Sequence, residues 1–170
     1  MTVKPPIDGD AGTSSASILR AVTEAETVYL GPNTVSFLLS GDETGGQCSL
    51  TRFTIAPPPA ASPPPHRHLD AHETIYVVEG TLDCTIEDVS RRLEPGGVMH
   101  VPRGVLHGLA NPGPDPTTIL VVLSPPGFEG YWRDAARLLA RSESPPAPSD
   151  MLDLQRQYHM ESGGHARQFR

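Results

Sequence analysis

The chain has only two cysteines among its 170 residues and no apolar run near the length of a bilayer. Cys48 and Cys84 are too few for a disulfide framework and lie outside any metal-type cysteine spacing, so both are expected as reduced thiols. Without a stretch of about 20 apolar residues, no membrane-spanning segment is expected. The opening MTVKPPIDGDAGTSS lacks an apolar core as well, so neither signal peptide nor anchor is expected, and a cytoplasmic location follows. A basic patch is also missing. The formal net charge of −7 and the pI near 5.4 would repel nucleic acid and an anionic membrane surface alike. No internal repeat is visible, and the segment before Thr27 has no room for a helix-turn-helix.

What the chain does carry is histidine. Three of its seven fall with one glutamate at a spacing that points to a metal. PPPHRHLDAHETIYVVEG places His66 and His68 two residues apart and Glu73 five residues on, with Gly80 closing the run. EPGGVMHVPRGVLHGLAN then supplies Gly96, Pro102, Gly104, His107 and Asn111. Side chains alternate across a strand, so a His-x-His pair presents both imidazoles on one face. Glu73 heads the apolar run from Ile75 to Val78, whose β-branched and aromatic residues read as a buried strand ending at the turn former Gly80. Pro102 and Gly104 suit a tight turn that returns a further strand, carrying His107, beside the first. Three imidazoles and one carboxylate suit one divalent ion of the Fe, Mn, Co, Ni, Cu or Zn group, with positions open for water or substrate.

These residues resemble the two motifs of the cupins, a superfamily of small β-barrels. The motifs are Gly-x5-His-x-His-x3,4-Glu-x6-Gly and Gly-x5-Pro-x-Gly-x2-His-x3-Asn. The first is met by His66, His68, Glu73 and Gly80, the second in full by Gly96, Pro102, Gly104, His107 and Asn111. Ala60 replaces the leading glycine of the first motif, a turn position whose loss alters a loop and touches no ligand. The resemblance implies that His66, His68, Glu73 and His107 ligate the metal. Strand alternation turns His72 away from the face of Glu73, and the family pattern selects Glu73. It also implies an all-β, jelly-roll-like barrel and a homodimer.

Gly, Pro, Asn and Asp punctuation separates short strand candidates at 27–30, 34–39, 47–56, 73–79, 81–87, 91–93, 98–101, 107–111 and 117–123. Many short strands without intervening helices mean a sandwich or barrel. The expected organisation is a flexible segment over residues 1–20, one barrel over 21–125 and a helical extension over 126–170, with structure beginning near Thr27. In the extension, Phe128, Trp132, Ala135, Leu138 and Leu139 recur at helical spacing up to Arg141. Met151, Leu154 and Tyr158 share one side of a second short helix, with Ser149 or Asp150 as its N-cap. Phe128 and Trp132 are read as packing residues of an amphipathic helix, with a place in the pocket lining as the alternative that the cupin resemblance implies. His159 and His165 are read as solvated, and the closing HARQFR as loose.

The PPGFEG segment, the aromatic-bearing helix after it and the tail tyrosine resemble bacterial quercetin-dioxygenase-like cupins. That resemblance implies a metal-dependent dioxygenase for a small aromatic or enolisable substrate such as a flavonol. O2 is then the co-substrate and Glu73 the base that takes the substrate's hydroxyl proton. Ile75 and Val77 share the alternation of Glu73, and Leu109 that of His107, so these three are expected in an apolar pocket wall. His100, in VMHVP, is placed with them as a pocket residue or as a structural histidine held by a partner. Tyr76 is read as a packing aromatic. Two other classes use the same ligands: an isomerase or lyase with His100 or Tyr76 as proton shuttle, and a non-catalytic small-ligand-binding cupin.

Overall fold

The computed structural model describes residues 17–60, 64–141 and 146–163. A 3-10 turn (Val22–Glu24) precedes ten strands: β1 (Glu26–Leu30), β2 (Asn33–Leu39), β3 (Ser49–Ile55), β4 (His66–His68), β5 (His72–Glu79), β6 (Leu82–Ile86), β7 (Val89–Leu93), β8 (Val98–Val101), β9 (His107–Ala110) and β10 (Thr117–Ser124). Helices α1 (Glu129–Arg141) and α2 (Pro148–Gln157) and a last strand, β11 (Met160–Ser162), complete the order. Two antiparallel sheets result, with orders β1-β2-β3-β10-β5-β8 and β11-β4-β9-β6-β7. They face each other as a jelly roll.

Strict alternation builds the space between them. In β3, Ser49, Thr51, Phe53 and Ile55 are buried while Leu50, Arg52 and Thr54 are half-buried. In β5, Glu73, Ile75 and Val77 point inward. The central strand β10 adds Ile119, Val121 and Leu123 to a core completed from the other sheet by Leu82, Cys84 and Leu109. Each large apolar side chain buried there stabilises the fold by about 1.5–3 kcal/mol. Burial also pushes the Cys84 thiol up to about 12, which keeps it protonated.

Two motif residues explain themselves in the fold. Gly80 turns the chain between β5 and β6 at φ +78°, and a Cβ there would lie 2.9 Å from the Thr117 backbone, so only glycine fits. Asn111 clamps a loop: its amide donates to the carbonyls of Ile55 at 3.1 Å and Asp115 at 2.7 Å, and its oxygen accepts the Gly113 N–H at 2.9 Å.

The C-terminal segment lies against the barrel and joins its second sheet. Helix α1 buries Trp132 and Ala135, and the ring of Phe37 sits 6.3 Å from Trp132. Glu129 secures the start of α1 by accepting the N–H groups of Gly41 at 2.9 Å and Gly127 at 2.6 Å. Arg133 pairs with Glu26 at 2.8 Å and covers the Phe37 ring at 4.1 Å. Helix α2 begins earlier than its apolar pattern indicates. Ala147 occupies the N-cap position and Pro148 follows at the head of the helix, in place of Ser149 or Asp150, because the fixed φ of proline suits the first turn. Strand β11 then pairs with β4, an element absent from the sequence reading. Among the described residues the first element is the 3-10 turn Val22–Glu24, and the first strand begins at Glu26, one residue before Thr27. His165 and the HARQFR tail lie outside the described residues. No helix among the described residues is long and apolar enough to cross a membrane.

Candidate metal centre

Strands β4 and β9 are neighbours in the five-stranded sheet, with His66 directly opposite His107. Their inward faces carry His66, His68 and His107, and β5 brings Glu73 from the opposing sheet. One ligand atom from each of these four residues lies within 4.8 Å of all the others, and all four residues are buried. His107 is fully enclosed. Strand β4 is three residues long, so it needs support from both sides. On one side β11 sets Met160 opposite His68 and Ser162 opposite His66. On the other, the motif-two turn supplies the Gly104 N–H, which donates to the His68 carbonyl at 2.7 Å.

Backbone contacts select the imidazole tautomers. Nδ1 of His66 lies 2.9 Å from the Pro64 carbonyl, and Nδ1 of His107 lies 3.0 Å from that of Val105. A carbonyl only accepts, so both Nδ1 atoms carry the proton and each neutral ring turns a bare Nε2 inward. Glu73 Oε2 sits 2.7 Å from His107 Nε2 and 3.6 Å from His68 Nε2. Yet His107 Nε2 and Glu73 Oε2 make no aligned hydrogen bond, and both are buried. Two enclosed acceptors this close need either a proton on His107 Nε2 or a bound cation to offset their repulsion, and three imidazoles with one carboxylate are a donor set suited to a transition ion.

The electrostatics agree. Burial pushes the Glu73 carboxyl up, but the facing imidazoles of His107 and His68 outweigh it and hold the group well below the usual carboxylate range. Burial, with the charge of His107 behind it, drives His66 down to about 4. At His107 burial opposes protonation, and the Glu73 carboxylate overrides it and raises the pKa. The cluster therefore rests as an ionised carboxylate, a neutral His66 and a His107 that competes for a proton.

Above it opens a cavity of about 340 Å³ floored by His66, His68 and Glu73. Phe53, Leu109 and Val121 of the barrel line its walls, and Phe128, Trp132, Met151 and Met160 of the C-terminal segment close it. Phe128 stands edge-on to His68 with ring centroids 4.4 Å apart.

Residues 53–123, from β3 to β10, match the family model of the cupin domain. That segment is a cupin domain. This cupin is 33% identical over 109 residues to Germin-like protein 1-1 of Oryza sativa subsp. japonica, a match covering 61% of the chain and 48% of that relative. It thus spans about half the length of the curated relatives it matches. Among solved structures, the polyketide cyclase RemF from Streptomyces resistomycificus superposes with a TM-score of 0.55 at 23% identity, over 64% of this cupin and 80% of that chain. A predicted oxalate decarboxylase from Thermotoga maritima gives 0.57 at 19% identity, over 64% and 99%. At these identities the structures establish the fold alone.

The fold gathers the four motif residues and sorts the remaining candidates. Leu109 lines the cavity. Ile75 and Val77 point inward as expected but pack in the core away from it, because each two-residue step beyond Glu73 carries a side chain about 7 Å along the strand. His100 requires the larger correction: it is exposed on the outer face, bonded to Thr74 at 2.9 Å and stacked on His72. Its strand pairs Val101 with Glu73 and His100 with Thr74, which turns His100 outward. Tyr76 is 44% exposed on the same outer face, so neither residue reaches the cluster as a proton shuttle. Phe128 and Trp132 pack as expected and also line the cavity. His159 is exposed but paired with Asp70. Sequence reasoning missed Tyr131 and Gln155 as cavity residues, although Gln155 lies four residues after Met151 on one helix face.

Proposed function

We propose that this cupin is a metal-dependent enzyme for a small, largely apolar compound bearing a phenolic or enolisable oxygen. Oxidative cleavage with O2 as co-substrate, as of a flavonol, is the reaction we assign. The observation that carries this reading is the buried His66, His68, Glu73 and His107 cluster on the floor of a cavity with otherwise mainly apolar walls. Among the described residues lining that cavity there is no lysine or arginine, so a sugar phosphate or a dicarboxylate would find no cationic partner from the chain.

A divalent transition ion held by the four residues would supply Lewis acidity and lower the pKa of a substrate hydroxyl lying on the cavity floor. Glu73, held ionised by the facing imidazoles, accepts that proton on its carboxylate. Phe128 and Trp132 add apolar ring surface beside the floor, and an apolar lining strengthens each electrostatic contact made there. General-base assistance of this kind is worth about 10²–10⁴ in rate.

The test is elemental analysis of freshly purified protein, then oxygen-electrode screening of flavonols, catechols and β-diketones with the metal found. Glu73→Gln keeps an oxygen that can coordinate but loses the basic carboxylate. It should retain substantial metal and lose roughly 10²-fold or more in turnover. Near wild-type turnover in metal-loaded Glu73→Gln would move the proton elsewhere. Turnover of an identified substrate without oxygen would replace the dioxygenase with an isomerase or lyase.

A further inference from the structure

Gln155 is 5% exposed, lines the cavity from α2, and its Oε1 has no hydrogen-bond partner among the described residues. Tyr131 lines the same cavity from α1, and its hydroxyl lies near the Gln155 side chain. With the carbonyl oxygen unpartnered, the amide nitrogen is the Gln155 atom that can turn to the Tyr131 hydroxyl. An N–H donor there occupies the phenol oxygen and leaves the phenol O–H free to donate. The pair therefore offers one acceptor and one donor side by side in a mainly apolar enclosure. The other neutral polar side chain of the lining, Asn33, is already committed through its oxygen to the Ala56 N–H at 2.9 Å. A buried acceptor without a partner is costly, and such atoms are rare in folded proteins. One that faces a cavity is a half-made contact.

We infer that Gln155 and Tyr131 bind a hydroxyl group of the substrate. A hydroxyl donates to Gln155 Oε1 and accepts from the Tyr131 O–H, which an ether oxygen or a carbonyl cannot do. The ligand class is an apolar ring compound with an oxygen for the metal cluster and a separate hydroxyl for this pair. Only the first of those two groups rests on the metal-dependent reading above. The C-terminal helices thereby select the substrate as well as cover it. Sites built to hydrogen-bond a hydroxyl reject analogues that leave their polar atoms unpaired far more strongly than apolar pockets reject a misfit in size.

The probes are 3-hydroxyflavones carrying a further hydroxyl at the 7, 3′ or 4′ position, each beside its methyl ether, with 3-hydroxyflavone as the parent. Binding is read without oxygen by quenching of Trp132, the single tryptophan of the sequence and a cavity residue. At least one hydroxylated probe should bind tenfold or more tighter than its methyl ether. Gln155→Leu and, independently, Tyr131→Phe should reduce that preference to less than threefold, each variant's affinity being referred to its own affinity for 3-hydroxyflavone. Thermal midpoint and metal content of the same samples confirm that each variant is folded and loaded. Equal binding of hydroxyl and ether in every pair, a preference that survives both variants, or no binding of any probe overturns the inference. A hydroxyl preference in protein that holds no metal would overturn the metal reading and leave this one standing.

Discussion

Removing the metal should loosen the barrel by an amount that the site's position fixes. His66, His68 and His107 belong to one sheet and Glu73 to the other, so an ion among them staples the two layers across the core. An ion bound by the folded protein and scarcely by the unfolded chain would, free at 100 times Kd, stabilise by about 2.7 kcal/mol. For a chain of this size that is a shift in Tm of roughly 5 to 11 °C. The shift must depend on pH, with a sign set by His107. Its pKa in the metal-free protein is raised by Glu73, and the metal needs Nε2 free of its proton. Below that raised pKa the proton competes, and the metal's contribution shrinks by about 1.4 kcal/mol per pH unit. His66, already near 4, adds no competition above about pH 5. The folded pKa of His107 is raised, so its own contribution to metal-free stability is complete below the unfolded value and fades as pH rises through the folded one. Chelation should therefore lower Tm more at pH 8 than at pH 6. Differential scanning calorimetry with and without a chelator, paired with metal analysis, reads this directly. A full equivalent of metal lost with Tm moving by less than a degree at pH 8, or stoichiometric metal in a folded His66→Ala/His107→Ala variant, would refute the assignment.

In metal-free protein, His107→Ala should cost about 3–5 kcal/mol, since it leaves the Glu73 carboxylate buried beyond its nearest partner at 2.7 Å. Adding Glu73→Gln should recover part of that in urea unfolding, and strictly additive losses would show that the pair is not coupled. Gly130→Ala sets a gain in helix propensity of about 1 kcal/mol against a clash. The new Cβ would sit 2.6 Å from the Tyr158 ring, which bonds Asp134 at 2.7 Å and meets Phe128 edge-on. Overpacking should win, with a net loss of about 1–3 kcal/mol. A raised Tm would mean that Tyr158 is free to move aside.

The metal cluster was legible in the chain because its determinants are local. Two-residue spacing puts His66 and His68 on one face whatever the rest of the fold does, and Pro102 with Gly104 returns His107 within a few residues. The strands were legible for the same reason, their burial following a period of two that needs no partner to be seen. His100 was not. Alternation says that His100 and Met99 face opposite ways but leaves open which way is in, and only the pairing of β8 with β5 decides it. The pocket wall needed the length of β5, which carries Ile75 and Val77 past the cavity. Gln155 was legible only in part. Its spacing from Met151 gives the two a shared helix face, but its surroundings come from α1 and the barrel mouth, brought together by contacts remote in sequence. Local chemistry named the four candidate ligands that the fold brings together, and long-range packing decided which side chains share a cavity with them.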